Sequence, residues 1–405
     1  MRLRALQGLR PTPTTAPAVA AVPYDVVDTE EARRLAEGNP WSLLHVTRAE
    51  IDLPPGTDPH SDIVYRRAAE NLQALERDGV LVNESGPCVY LYRLTMGSHE
   101  QAGLAGLFHI DDYASDVIRK HEKTRRDKED DRTRTAHELN AHVEPVFLAY
   151  RDDPNIDRLV QWAQAAAPMF DLVAPDGVRH TLWRVAGAET FVRAFANVPV
   201  AYVADGHHRS ASAARVGHER RQTNPRHSGN EPYNWFPAVI FPASQLMILP
   251  YNRRVVDLNG LSSQAFIDGL RKITSVQEVQ CQQPGGTGEV AMFIENRWYA
   301  FPLPRPDTDD PVARLDVSVL QDRILGPMLG IDDPRTSQRI EFIGGIRGTG
   351  ELQKRVEEHG GVAFSMAPVT MDQLMSVADS GRSLPPKSTW FEPKLRSGFF
   401  IHTLG

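Results

Sequence analysis

Apolar positions along this chain switch repeatedly between helical and strand-like spacing, and the switches outline the elements. Thr29 to Glu37 holds good helix formers between Asp28, a suitable cap, and the stop Gly38-Asn39-Pro40, which predicts a short helix. "SLLHVTRAEI" then reads as a strand. "SDIVYRRAAENLQALERDGVLV" has the stripe of an amphipathic helix ending near Gly79. "CVYLYRLTM" and "LAGLFHI" read as paired strands around a turn at "GSHEQAG". "RKHEKTRRDKEDDRTRTAHEL" is helical in part, and "VEPVFLAYR" is a strand. "NWFPAVIFPA" and "LMILPYNRRVV" supply further strands. Strands and helices alternating in this way predict a mixed α/β or α+β architecture.

After Arg254 the pattern changes. A second set of elements begins at "LSSQAFIDGLRKI" and includes "GEVAMFIENRWYAFPL", a predicted hairpin. "PLPRPDTDDPVARLDVSVL" reads as an exposed loop from its Pro and Asp density. With 405 residues the chain exceeds one ordinary core, and we expect domains at 1–254 and 255–405.

The overall balance narrows the function. Hydrophobic residues make up 41% and charged residues 24%, as in globular proteins. No apolar run is long enough for a membrane span, and prolines interrupt the apolar N-terminal stretch, which we read as mature chain. A net charge of -7 argues against a partner such as DNA or RNA but not against a small phosphorylated ligand. Cys88 and Cys281 have neither metal spacing nor a disulfide framework, so a cytoplasmic location is expected.

The most reactive stretch is "YVADGHHRSASAARV". Asp205-Gly206 is turn chemistry after an apolar strand, and a helix is expected from near Ser210. A helix start offers unsatisfied N–H groups to an anion, and Arg209 adds a forked cation suited to phosphate. His207 and His208 donate or titrate near neutrality. Three readings stand: a loop satisfying its own polar groups, a phosphate-facing turn, which we prefer, and a metal site needing further ligands. In "RKHEKTRRDKEDDRTR" the default is a solvated helix with i,i+4 pairs. Its "HEKT" adds His121, Glu122 and Thr124, with Glu122 able to act as base or metal ligand. Arg125, Lys128 and Arg132 are suited to phosphates. "VPYDVV" offers Tyr24 and Asp25, and "LPPKSTWFEPKLRSGFFI" holds Lys387, Ser388 and Thr389 behind two prolines. Neither that segment nor "FIGGIRGTGE" has the context of a nucleotide-binding glycine loop.

"VPYDVV", "NPWSLLHVTR", "HEKT", "YVADGHHRSASAA", "ARLDVSVLQDRILGPMLGI" and "LPPKSTWFEPKLRSG" follow one another over nearly the whole chain. Together they resemble the bacterial and archaeal family related to free serine kinases, within the ParB/sulfiredoxin-like superfamily. The resemblance implies an α+β fold: a mixed-sheet core of that superfamily type carrying donor binding and catalysis. It also implies a second, C-terminal α+β domain lending a closing loop. It further implies a kinase that converts free L-serine to O-phospho-L-serine with Mg²⁺ and ATP, ADP or pyrophosphate as donor. By the same resemblance Gly206, His207, His208, Arg209, Ser210 and Arg132 hold donor phosphates, and Asp205 positions the turn or a Mg²⁺ ion. Glu122 is the implied base, with His121, Asp205 and His208 in the catalytic group. Tyr24, Asp25, Thr124, Lys387, Ser388 and Thr389 face the acceptor. The HEKT region is more charged here than in the relatives. The alternative is a ParB-like nucleotide-binding regulator without turnover, although no helix-turn-helix with a basic recognition helix is evident. A sulfinic-acid reductase would need a reactive cysteine beside the turn, and both cysteines lie far from it in sequence. The oligomeric state is open.

Overall fold

The computed structural model describes residues 1–280 and 282–405, so Cys281 lies outside the described residues. Two units result. The first comprises Met1–Leu246 and Pro393–Gly405, and the second is Met247–Glu392. The division expected after residue 254 falls inside the second unit, and the C-terminal tail belongs to the first.

The first unit is built on a nine-stranded mixed sheet. Its centre, Val146–Tyr150, Trp235–Pro242 and His99–His109, is almost wholly buried. These strands therefore read as continuous apolar runs. Ala201–Asp205 pairs parallel with Ile118–Arg119 and antiparallel with Val146–Tyr150, and the register shifts between Val203 and Asp205. Such a shift is the usual way a strand re-aims its last side chain. Phe108, Leu148, Val203, Phe236 and Ile240 lie at the heart of the main core. The tail is stitched in by backbone: Leu9 pairs with Ile401, Ala21 with Ser397, and His402–Thr403 with Ala141–His142.

Several expectations hold in detail. Asp28 caps Thr29–Ala36 in a full capping box, and the helix Asp62–Arg77 ends just before Gly79. Others are corrected. "SLLHVTRAEI" forms the helix Leu44–Thr47 and a 3₁₀ turn, Ala49–Asp52, not a strand. Leu43, Val46 and Ile51 recur near helical spacing and join Val64, Ala68 and Leu72 in one core, which a short apolar run alone does not reveal. "HEQAG" belongs to the strand His99–His109, leaving Gly97-Ser98 as the turn. The helix Arg126–Leu139 is not simply solvated: Asp131, Thr133, Thr135, Ala136 and Leu139 are buried. Thr133 Oγ1 bonds Ser212 Oγ of the helix His207–Thr223 at 3.3 Å.

The second unit has a six-stranded antiparallel sheet with helices including Ser263–Arg271, Gly348–His359 and Met371–Asp379. The predicted hairpin is Glu289–Ile294 with Arg297–Pro302, its two turn residues Glu295 and Asn296 both at positive φ. The strands Met247–Leu249 and Trp390–Glu392 pair with each other where the unit begins and ends. No helix among the described residues is long and apolar enough to cross a membrane.

Candidate phosphate-binding turn and its polar network

The strand Ala201–Asp205 passes into the helix His207–Thr223 through Gly206, at φ 91° and ψ 34°. Only glycine adopts that conformation at little cost, and it lets the helix begin at His207, three residues earlier than expected. A Cβ on Gly206 would sit 3.0 Å from Cζ and Nε of Arg209. Gly206→Ala is therefore expected to lower stability by about 1–2 kcal/mol from the left-handed backbone alone. It should also displace the guanidinium. A urea unfolding midpoint equal to that of the parent would refute this. Further along the helix, Ala213 and Ala214 are buried as expected. Gly217 brings the backbone closest to its neighbours, since a Cβ there would lie 2.6 Å from the Tyr233 carbonyl.

No side chain caps the helix, so the N–H groups of its first turn point outward without a cap. Ser210 does not join them. Its N–H goes to the Gly206 carbonyl and its hydroxyl to the His207 carbonyl. Asp205 is the lock of the turn. Its Oδ1 accepts from the Gly206 N–H at 2.9 Å and its Oδ2 from Lys394 Nζ at 3.2 Å. Burial works to raise the Asp205 pKa, but Lys394 and Arg209 pull it well below the usual carboxylate range. A Mg²⁺ ion at Asp205 would have to share the carboxylate with these two cations. The residues there fit the turn-positioning role and not a Mg²⁺ site.

Arg209 is the buried centre of the site. Its Nη1 donates to the Pro145 carbonyl, while Nη2 lies 3.7 Å from both Asp25 and Asp205. Those distances attract but do not bond, and Nε and Nη2 have no acceptor among the described residues. Burial works to lower the Arg209 pKa, and Asp25, Asp205 and Glu144 outweigh it, so the group stays charged. Glu144, which the sequence reading passed over inside a strand, ties the rest together. It accepts from the Tyr24 N–H at 3.0 Å and the Ser397 hydroxyl at 3.2 Å, and lies 3.6 Å from Arg132. Burial raises its pKa against the pull of Arg209 and Arg132. Arg132 bonds Asp131 and lies over the Tyr24 ring, 3.9 Å from its centre. Arg132 and Arg209 line one cavity with Glu144 and Ser212. A second cavity shares Arg132 and is lined by Tyr24, Arg48, His60 and Lys128.

The structure thus brings Tyr24, Asp25, Arg132, Asp205 and Arg209 into one network. His208 Nε2 accepts from the Arg125 N–H at 3.1 Å, which ties the HEKT segment to the turn. Burial lowers the pKa of His208, and more strongly that of His207. It brings His121 down to about 4, against the opposing pulls of Asp205 and the Val203 backbone. Thr124 is bonded to Glu129 at 3.1 Å. Lys387, Ser388 and Thr389 belong to the second unit, where Ser388 bonds the Pro385 carbonyl and Lys387 lies over the Tyr251 ring. Lys394, in the same quoted stretch, is the lysine at Asp205. Sequence spacing gave no means of choosing between the two.

No curated protein matches the chain. Among solved structures, a free serine kinase in complex with AMP is 13% identical, with 73% of this chain and 90% of that chain covered and a TM-score of 0.37. A conserved hypothetical protein from Pyrococcus furiosus is 14% identical, covering 72% and 92%, with a TM-score of 0.36. SbnI with a C-terminal truncation, from Staphylococcus aureus, is 11% identical, covering 71% and 82%, with a TM-score of 0.36. One family, described as a protein of unknown function (DUF1015), matches residues 3–318. That span includes the HEKT segment, the glycine turn and all but the tail of their buried network, and the chain belongs to this family.

Proposed function

We propose that the protein is a small-molecule kinase that transfers a phosphoryl group from ATP, ADP or pyrophosphate to a serine-like alcohol, with free L-serine as the acceptor. The observation that carries this reading is Arg209: a buried, charged guanidinium in the first helical turn, with two nitrogens lacking acceptors among the described residues. Phosphate oxygens satisfy such a fork and the uncapped N–H groups together. The motif resemblance to free serine kinases, within the ParB/sulfiredoxin-like superfamily, points the same way.

In this reading the donor phosphates lie along Gly206 to Arg209, with His207 and His208 as further donors and Arg132 holding the neighbouring wall. The Glu122 carboxylate, about half exposed and 3.8 Å from His207 Nδ1, is open to a small acceptor. It takes the alcohol proton as the new O–P bond forms, and the donor's bridging P–O bond breaks with its electron pair leaving on the departing phosphate. Any Mg²⁺ comes with the donor. Tyr24 and Asp25 face the acceptor.

The test incubates the protein with L-serine, Mg²⁺ and each donor in turn, following phosphoserine by phosphorus NMR. Phosphoserine is expected with one of them. Glu122→Gln should slow its formation by about 10²-fold or more while donor binding persists, the scale of a lost general base. Donor binding without product from any donor would shift the reading to the nucleotide-binding regulator. Neither binding nor product would remove both.

A further inference from the structure

Beside the turn, three groups with ligand atoms converge. One atom each from His121, Glu122 and His207 lies within 4.8 Å of the others. The two imidazoles meet edge to face with ring centres 4.4 Å apart, and His207 Nδ1 is 3.8 Å from Glu122 Oε2. His121 is 1% exposed and His207 5%, yet among the described residues neither nitrogen of His121 nor Nε2 of His207 has a well-aligned hydrogen-bond partner, with only the Val203 backbone close to His121. Buried polar atoms are nearly always paired, and three such ring nitrogens in one spot call for a ligand.

The surroundings hold the two rings in place. His121 follows Ile118–Arg119, which pairs parallel with the strand leading to the turn, and His207 is the first residue of the helix after it. Both rings are therefore carried by adjacent strand ends. Glu122 is about half exposed and leaves a side open to solvent.

We propose that His121, Glu122 and His207 form a site for one divalent transition-metal ion of the Zn²⁺, Co²⁺ or Fe²⁺ class, with its remaining positions open. Two imidazoles and one carboxylate are the donor set of open transition-metal sites. Mg²⁺ prefers an all-oxygen shell and is disfavoured here. The nearby charges permit a cation: Asp25 and Asp205 are set against Arg209 and Lys394, and the Glu122 carboxylate beside His207 adds a negative charge of its own. Ligation through one Glu122 oxygen leaves the other toward an acceptor. The site does not depend on the kinase reading, because its occupancy is measured with neither donor nor acceptor present.

The full chain, stripped with a chelator, is titrated with Co²⁺ alone and followed by visible ligand-field absorption. A band saturating at one Co²⁺ per chain is expected, unaffected by excess Mg²⁺ and abolished by Zn²⁺. Glu122→Gln, at a half-exposed position where the fold tolerates it, should weaken Co²⁺ at least about tenfold, since even outer-shell partners of a metal are worth that much. His207→Gln should remove the band, its folding checked by near-UV circular dichroism. Absence of a band with the parent protein would overturn the site. So would Glu122→Gln titrating like the parent, or displacement of Co²⁺ by Mg²⁺.

Discussion

Arg209→Ala is expected to lower the unfolding free energy by about 3 kcal/mol, the scale of a buried ion pair losing one partner. From sequence, this residue reads as a forked cation in a phosphate-facing turn. The structure buries it, with its Nη1 on the Pro145 carbonyl and its charge set against Asp25, Asp205 and Glu144. Removing it leaves Glu144 with Arg132 and Asp205 with Lys394, which keeps the loss from being larger. Arg209→Lys separates the two roles. It retains a cation but not the planar fork, so stability should recover in part while donor affinity stays low. Urea unfolding and donor titration of both variants test this together. An alanine variant as stable as the parent would show that the network does not need its central cation. A lysine variant with full donor affinity would deny the fork any part in binding.

Acid should destabilise the protein from about pH 6.5 downward, through its buried histidines. Burial holds His142 and His180 down to about 3 and His402 to about 4, so all three stay neutral in the fold. Unfolding exposes them at an ordinary value of about 6.5. A histidine depressed in this way contributes fully above the unfolded value. Its contribution is lost as pH falls from there toward the folded value. At pH 5 each such histidine would cost about 2 kcal/mol. These losses require three protons to be taken up on unfolding. Glu84 behaves differently: Tyr90, Arg10 and Arg184 overcome its burial and hold it at about 2, so its contribution persists down to about pH 4.5. Urea midpoints measured from pH 7.5 to 4.5 should fall steeply below about 6.5. Midpoints flat between 7 and 5 would contradict this.

The residues that advertise chemistry were legible because their local signals agree. An apolar strand, Asp-Gly, two histidines, an arginine and then small residues leave few alternatives to a strand, a turn and a closely packed helix. Capping at Asp28 and the hairpin at Glu295-Asn296 were equally local. What escaped the reading depends on partners far apart in the chain. Glu144 sits in an apolar run and looks like a strand residue, yet Tyr24, Arg132 and Ser397 give it its role. Lys394 is hidden near the more conspicuous Lys387.

The tail that carries Lys394 also sets a timetable for the nascent chain. The first unit is interrupted, with 146 residues of a separate unit between Leu246 and Pro393. While the ribosome is still making that insertion, the large sheet can assemble, but Asp205 has no lysine and Glu144 no serine. The paired strands at the neck of the insertion bring its two ends together, which shortens the effective loop the tail must close. The glycine turn therefore gains Lys394 as a counter-ion to Asp205 only after the whole insertion has been made.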